Sequence, residues 1–285
     1  GNDQKDRFSV VKLSGDGTSL IGGAWDGSYA RIYGLNEDGE WTIEAGPSNP
    51  REDTGDILIG TGFGWPASRS QFDWYGNDVD ISDNGTVATV SSSQKVKKVE
   101  ILEKNNLDWQ LTKTISGKSA TELSGSGDIL LASTGSETEV YRKSSFSDWN
   151  LIDTLNESIG ARSGELSSDG TFLAFNNNYK SLKVYKLNDL DKYVLLDDID
   201  HFSNSSNYKN GSSNTAISGD GKTVASVASD YSVKVYHDSN GDGEYAFVQS
   251  LPEISDHSDL AISKNGEVIV LGSDQRKNSK SIGLV

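Results

Sequence analysis

Short apolar runs in this chain alternate with polar residues at a period of two, and clusters of Gly, Asp, Asn or Ser close each run. That period puts successive side chains on opposite faces of an extended strand. No stretch carries the wider spacing of an amphipathic helix. One order of pieces recurs, and it is clearest from Ile217 to Tyr236: a step ending at Ser218, the turn Gly219-Asp220-Gly221, the apolar strand Thr223 to Val227, a polar turn, and the alternating strand Val233-Lys234-Val235-Tyr236. The same turn stands at Ser14 to Gly17, Ser82 to Gly85, Ser124 to Gly127, Ser167 to Gly170 and Ser263 to Gly266. Its Asp-Gly or Asn-Gly pair predicts a type I′ hairpin. A fourth strand is predicted to begin at an aromatic: Trp41, Trp109, Trp149, Tyr193 or Tyr245. The anchor glycines 17, 85, 127, 170, 221 and 266 lie 68, 42, 43, 51 and 45 residues apart. A period of about 40 to 45 residues with four short strands per unit is that of propeller blades. The reading is all-β: a six-bladed β-propeller of four-stranded antiparallel blades filling residues 1–285 as a single domain, with seven blades as the alternative.

These Ser-x-Asp-Gly turns and Val-x-Val-aromatic strands resemble the blades of WD40-like propellers, with Tyr33, Tyr141, Tyr185 and Tyr236 where that family carries Trp. The array is also similar to FG-GAP and integrin-α-like extracellular propellers. The first interval is longer than the others by roughly half a blade, which predicts an insertion at about 46–75. A second, polar loop is expected at about 201–214. The sixth unit reaches only a third strand, Ser281-Ile282-Gly283-Leu284-Val285. Its fourth strand is expected from residues upstream of Gly1 or from another segment, and not from Arg7 to Leu13.

The formal net charge of -16 changes the picture of partners. Phosphate binding needs clustered Lys and Arg, and the 26 here are dispersed, so nucleic acid and anionic membrane are excluded as partners. Absence of cysteine excludes disulfides, thiolate catalysis and Cys-zinc sites. Absence of Met, even at position 1, points to a processed or excised segment. No apolar run approaches the ~20 residues that span a bilayer, so direct membrane insertion is not expected.

Three places could hold chemistry. Asp238, Asn240 and Asp242 alternate before Gly243 and Glu244, the start of a calcium loop; a plain Asn/Asp/Gly hairpin is the other reading, since Gln249 stands where a closing Glu belongs. The insertion carries Phe63, Trp65, Arg69, Phe72, Trp74 and Tyr75, a set able to stack on sugars or anchor a protein; the other reading is that Phe63, Trp65 and Trp74 fold back to plug the channel or cover a blade edge. Asn84, Asn156, Asn204 and Asn210 open glycosylation sequons. No catalytic residue is assigned. The three histidines lack a metal-spaced partner or nucleophile, and paired carboxylates such as Asp197-Asp198 are taken as solvated.

These features favour a non-enzymatic interaction module of an extracellular or particle-surface protein. It is read as secreted and processed, with calcium as its one candidate cofactor. Its partners would be protein or glycan at a surface, copies of itself, or other domains of a longer chain. The alternative is a secreted propeller enzyme, a polysaccharide lyase or hydrolase with carboxylates in its channel. An intracellular WD40-type scaffold is the third reading.

Overall fold

The computed structural model describes residues 8–24, 29–46, 75–94, 96–106, 108–157, 164–176, 181–200, 214–228, 232–251 and 259–272. The chain is an all-β, six-bladed β-propeller. Among the described residues five blades are four-stranded antiparallel sheets and the sixth shows two strands, all without helix. Contacts divide the chain into two compact units, Gly1–Thr154 and Leu155–Val285.

In the first unit, blade one is β1 (Val10–Leu13), β2 (Ser19–Ala24), β3 (Tyr29–Leu35) and β4 (Trp41–Ala45). Blade two is β5 (Tyr75–Ile81), β6 (Val87–Ser92), β7 (Lys98–Asn105) and β8 (Asp108–Ser116); blade three is β9 (Ala120–Leu123), β10 (Ile129–Ser133), β11 (Thr138–Ser145) and β12 (Asp148–Leu155). The second unit holds blade four as β13 (Gly164–Leu166), β14 (Phe172–Asn176), β15 (Leu182–Leu187) and β16 (Tyr193–Ile199). Blade five is β17 (Thr215–Ile217), β18 (Thr223–Val227), β19 (Val233–His237) and β20 (Ala246–Leu251), and β21 (Asp259–Ile262) and β22 (Ile269–Gly272) open blade six. Fourth strands begin at or beside the predicted aromatics. β1 pairs with β2 as the first strand of its own sheet, as expected for Arg7 to Leu13. Residues 281–285 lie outside the described residues.

The anchor turn is built differently from the expected type I′ hairpin. Asp16, Asn84, Asp169, Asp220 and Asn265 keep negative φ, and only the glycine that follows is left-handed, at +73° for Gly17 and +76° for Gly221. The reason is the side chain before the glycine. Ser218 Oγ donates to Asp220 Oδ1 (2.6 Å), the Lys222 amide donates to the same oxygen (3.0 Å), and the Thr223 amide donates to Ser218 Oγ (2.9 Å). These bonds close the loop as an Asx-type turn, leaving positive φ to glycine alone. Blades one, two, four and six repeat the set, with Asn84 and Asn265 replacing the aspartates in blades two and six.

The apolar cores lie between blades. Ile21 and Ile32 pack with Val79, Ile81, Leu102 and Trp109 between blades one and two. Val99, Ile101, Leu123, Leu130 and Trp149 fill the space between blades two and three. In the second unit Leu182, Val184, Ile217, Val224 and Tyr245 join blades four and five, and Val233, Val235, Ile269 and Leu271 join five and six. Burying one such aromatic or branched side chain stabilises by about 1.5–3 kcal/mol.

Charged clasps close the outer side of these cores. Glu44 Oε2 accepts the indole N–H of Trp109 (3.0 Å) and pairs with Lys104 (2.7 Å). One blade on, Glu103 Oε1 accepts the indole N–H of Trp149 (2.8 Å) while Oε2 pairs with Lys143 (2.8 Å). Burial pushes the Glu103 carboxyl up, but bonds from Lys143, Trp149 and Thr112 outweigh it and hold the group below the usual range. Asp197 is likewise not simply solvated: its Oδ2 accepts the Tyr245 amide of the next blade (3.0 Å).

The turn aspartates make an acid-sensitivity prediction. Burial raises the carboxyls of Asp16, Asp169 and Asp220, but their turn hydrogen bonds outweigh it and hold all three below 3.8. A depressed folded value contributes stability above the unfolded pKa and loses it as pH falls through the folded one. Asp220→Asn keeps the Oδ1 acceptor, as Asn84 and Asn265 show, and drops the titration. In urea unfolding the wild type's advantage over this variant shrinks from about pH 5 to about pH 3; a gap constant with pH would contradict the assignment.

Candidate functional site

A group of buried polar side chains in the first unit sits on first strands and on the facing sides of blades two and three. Alternation along β5 sends Val79 and Ile81 into the core with blade one and turns Asp78 and Asp80 the other way. Asp78 Oδ2 accepts the Thr121 amide (3.0 Å), and Asp80 Oδ2 accepts the Leu123 amide (2.7 Å). Asp80 Oδ1 also accepts the Ile81 amide (2.9 Å). Both aspartates are buried, Asp80 to 6% exposure. Burial lifts the Asp80 carboxyl above its usual value, against the pull of the Lys12 ammonium and the two amides, and Asp83 adds to the rise.

Around this pair the hydroxyls of Thr121 and Thr89 bond at 3.0 Å. Lys118, 3% exposed, bridges Glu137 (2.8 Å) and Glu139 (3.1 Å), and Glu139 Oε2 accepts the Tyr141 hydroxyl (2.7 Å). Burial would lower the Lys118 ammonium, but its two carboxylates raise it, so it stays charged. On the opposite side of blade two, Glu100 takes the Tyr75 hydroxyl and the Lys98 ammonium, each at 2.5 Å. A buried carboxyl with a raised pKa beside a lysine is suited to carry a proton between water and a substrate oxygen.

The residues singled out in the sequence fall elsewhere. Asp238 is buried, and its two oxygens accept the amides of Gly241 (2.7 Å) and Gly243 (3.0 Å), while Asn240, Asp242 and Glu244 are exposed. Among the described residues no group of three or more His, Cys, Asp or Glu could hold a metal ion. Phe63, Trp65, Arg69, Phe72 and Trp74 lie outside the described residues; Tyr75 is buried in β5, at 2% exposure, and not presented to a partner. Asn84 and Asn156 are exposed, and Asn204 and Asn210 lie outside the described residues. His237 Nδ1 bonds Thr223 Oγ1 at 3.0 Å, a structural contact. Sequence reasoning missed Asp78 and Asp80, whose signal is two acids at alternate positions of a strand whose other face is apolar.

No family model matches the chain, and no curated protein matches it. Solved structures do. A functionally unknown protein from Desulfotomaculum acetoxidans is 13% identical over 94% of this chain and 80% of its own, with a TM-score of 0.64. The periplasmic gluconolactonase of Pseudomonas aeruginosa is 14% identical over 92% of this chain and 77% of its own, with a TM-score of 0.58. A Bacteroides fragilis protein provisionally named a 6-phosphogluconolactonase is 11% identical over 84% and 68%, with a TM-score of 0.51. At these identities the likeness is one of fold, and it bears out the propeller; the WD40 and FG-GAP families expected from the repeats are not among these names. The non-enzymatic interaction module is corrected here: two of these neighbours are named as lactonases, and that favours the enzyme alternative over it.

Asp80 also makes a prediction about stability. A carboxyl whose folded value is raised costs stability as pH climbs from the unfolded pKa through the folded one. Asp80→Asn keeps an oxygen for the Leu123 amide and cannot ionise. Relative to wild type it should gain stability as pH rises above about 4 in urea titrations. A difference that does not move with pH would contradict the raised pKa.

Proposed function

We propose that this propeller is a hydrolase acting on a carbohydrate-derived substrate, opening the ring of a sugar lactone. The observation that carries the reading is Asp80: a buried carboxyl with raised pKa on a first strand, within the field of Lys12 and two residues from Asp78. The lactonase names of two fold neighbours support the substrate class. In this reading Asp80 draws a proton from the attacking water, and Lys12 balances the charge that develops on the carbonyl oxygen. The tetrahedral intermediate then breaks its ring C–O bond as the carboxyl returns the proton to the leaving oxygen. Such proton transfers contribute about 10²–10⁴-fold. A setting outside the cytoplasm accompanies the proposal, in keeping with the periplasmic neighbour and the acidic surface.

The test is a pH-stat assay of the purified chain on glucono-1,5-lactone, with spontaneous hydrolysis subtracted. Turnover is expected from the wild type, and Asp80→Asn should lower kcat/KM by about 10²-fold or more while remaining folded. A wild type no faster than buffer sinks the proposal, as does a folded Asp80→Asn variant of full activity.

A further inference from the structure

Three described loops place Asn before Gly, at Asn84-Gly85, Asn240-Gly241 and Asn265-Gly266. Such pairs are chemically labile because glycine leaves its nitrogen room to reach the asparagine carboxamide. In all three the glycine N–H is already bonded: Gly85 to the Ser82 carbonyl (3.0 Å), Gly266 to the Ser263 carbonyl (2.9 Å), and Gly241 to Asp238 Oδ1 (2.7 Å). The attacking nitrogen therefore does not separate them. The carboxamide and the space around the glycine do.

Asn84 Oδ1 accepts Ser82 Oγ (2.8 Å), Thr86 Oγ1 (2.8 Å) and the Thr86 amide (3.2 Å). Asn265 Oδ1 accepts Ser263 Oγ (2.7 Å), and its Nδ2 donates to Glu267 (2.5 Å). Their glycines are also hemmed in. A Cβ on Gly85 would stand 2.4 Å from Ser19 Oγ, and one on Gly266 would stand 2.6 Å from Thr223 Oγ1. Asn240 differs on both counts: among the described residues its carboxamide makes no hydrogen bond, and none lies within 4 Å of a Cβ built on Gly241.

We propose that Asn240 is the site of spontaneous amide-to-acid conversion among the described residues, and that the anchor turns shelter Asn84 and Asn265. The Gly241 nitrogen, its proton lost to water, attacks Asn240 Cγ; the Cγ–Nδ2 bond breaks as solvent protonates Nδ2, and ammonia leaves a five-membered imide. Water then opens either imide carbonyl, giving aspartate or isoaspartate. Both products add a negative charge between Asp238 and Asp242, and the second lengthens the backbone of the loop. At the two sheltered turns plain aspartate would be tolerated, since Asp16, Asp169 and Asp220 hold the same place, whereas isoaspartate would break the Asx bonds.

The experiment ages the folded protein at mildly alkaline pH and maps acid and isoaspartate in the three peptides, with a urea-unfolded sample as reference. The folded protein should convert Asn240 roughly tenfold faster than Asn84 or Asn265, a factor worth about 1.4 kcal/mol. In urea the three should converge. The variant Thr86→Val removes one bond to Asn84 and should speed conversion there in the folded state. The proposal is overturned if Asn84 or Asn265 keeps pace with Asn240 in the folded protein, if Asn240 stays intact, or if Thr86→Val leaves Asn84 unchanged.

Discussion

The structure depends on how the inner edge of each blade is sealed. A first strand bonds its own second strand on one side and leaves a row of N–H groups on the other. Left unpaired and buried, each of these would cost about 1–3 kcal/mol. Neighbouring first strands do not form a ladder with one another, so side chains bridge the gap. Asp78 and Asp80 take the amides of Thr121 and Leu123, and in the second unit Glu165 takes the Ile217 amide (3.0 Å). Just beyond, the turns continue the seam with backbone alone: Asp16 N–H to Asp83, Asp83 N–H to Gly125, and Ser168 N–H to Gly219. The outer side is closed by the Glu44–Trp109 and Glu103–Trp149 clasps.

This division of labour explains where charge is buried in so acidic a protein. Most carboxylates face water, where their repulsion is screened. Among the described residues the buried ones, Asp238 in its own loop apart, sit at seams between blades, each meeting amides, an indole or a lysine, as buried charges must. Asp80 is held at a cost, because its burial outweighs its partners and raises its pKa. A seam carboxyl strained in this way is also where proton chemistry is easiest to place, which is why the proposed activity is assigned to a bracing residue.

Much of the fold was legible because it repeats. Period-two alternation marks strands, and Ser-x-Asp-Gly marks the first hairpin of each blade, since only glycine accepts the left-handed position there. The turn type was not legible: Asp-Gly suits a type I′ hairpin locally, and only the Ser218 and Lys222 bonds to Asp220 show why aspartate stays at negative φ. The site was less legible still. Asp78-Val79-Asp80 reads as ordinary alternation, and nothing local tells that its polar face meets another blade rather than water. Asp238 to Glu244 drew notice through spacing, yet Asp238 spends both oxygens on its own loop amides. Local patterns report the strand and the turn; the seam between blades is a long-range pairing.

Hydrogen exchange of individual amides tests the sealing of these seams most directly. Thr121, Leu123 and Ile217 donate to side chains of a neighbouring blade and to no strand of their own sheet. If those carboxylates brace the propeller, the three amides exchange as slowly as the ladder amides of β6 and β18, through global opening. Exchange at the rate of exposed edge amides, with β6 and β18 still protected, would contradict the account.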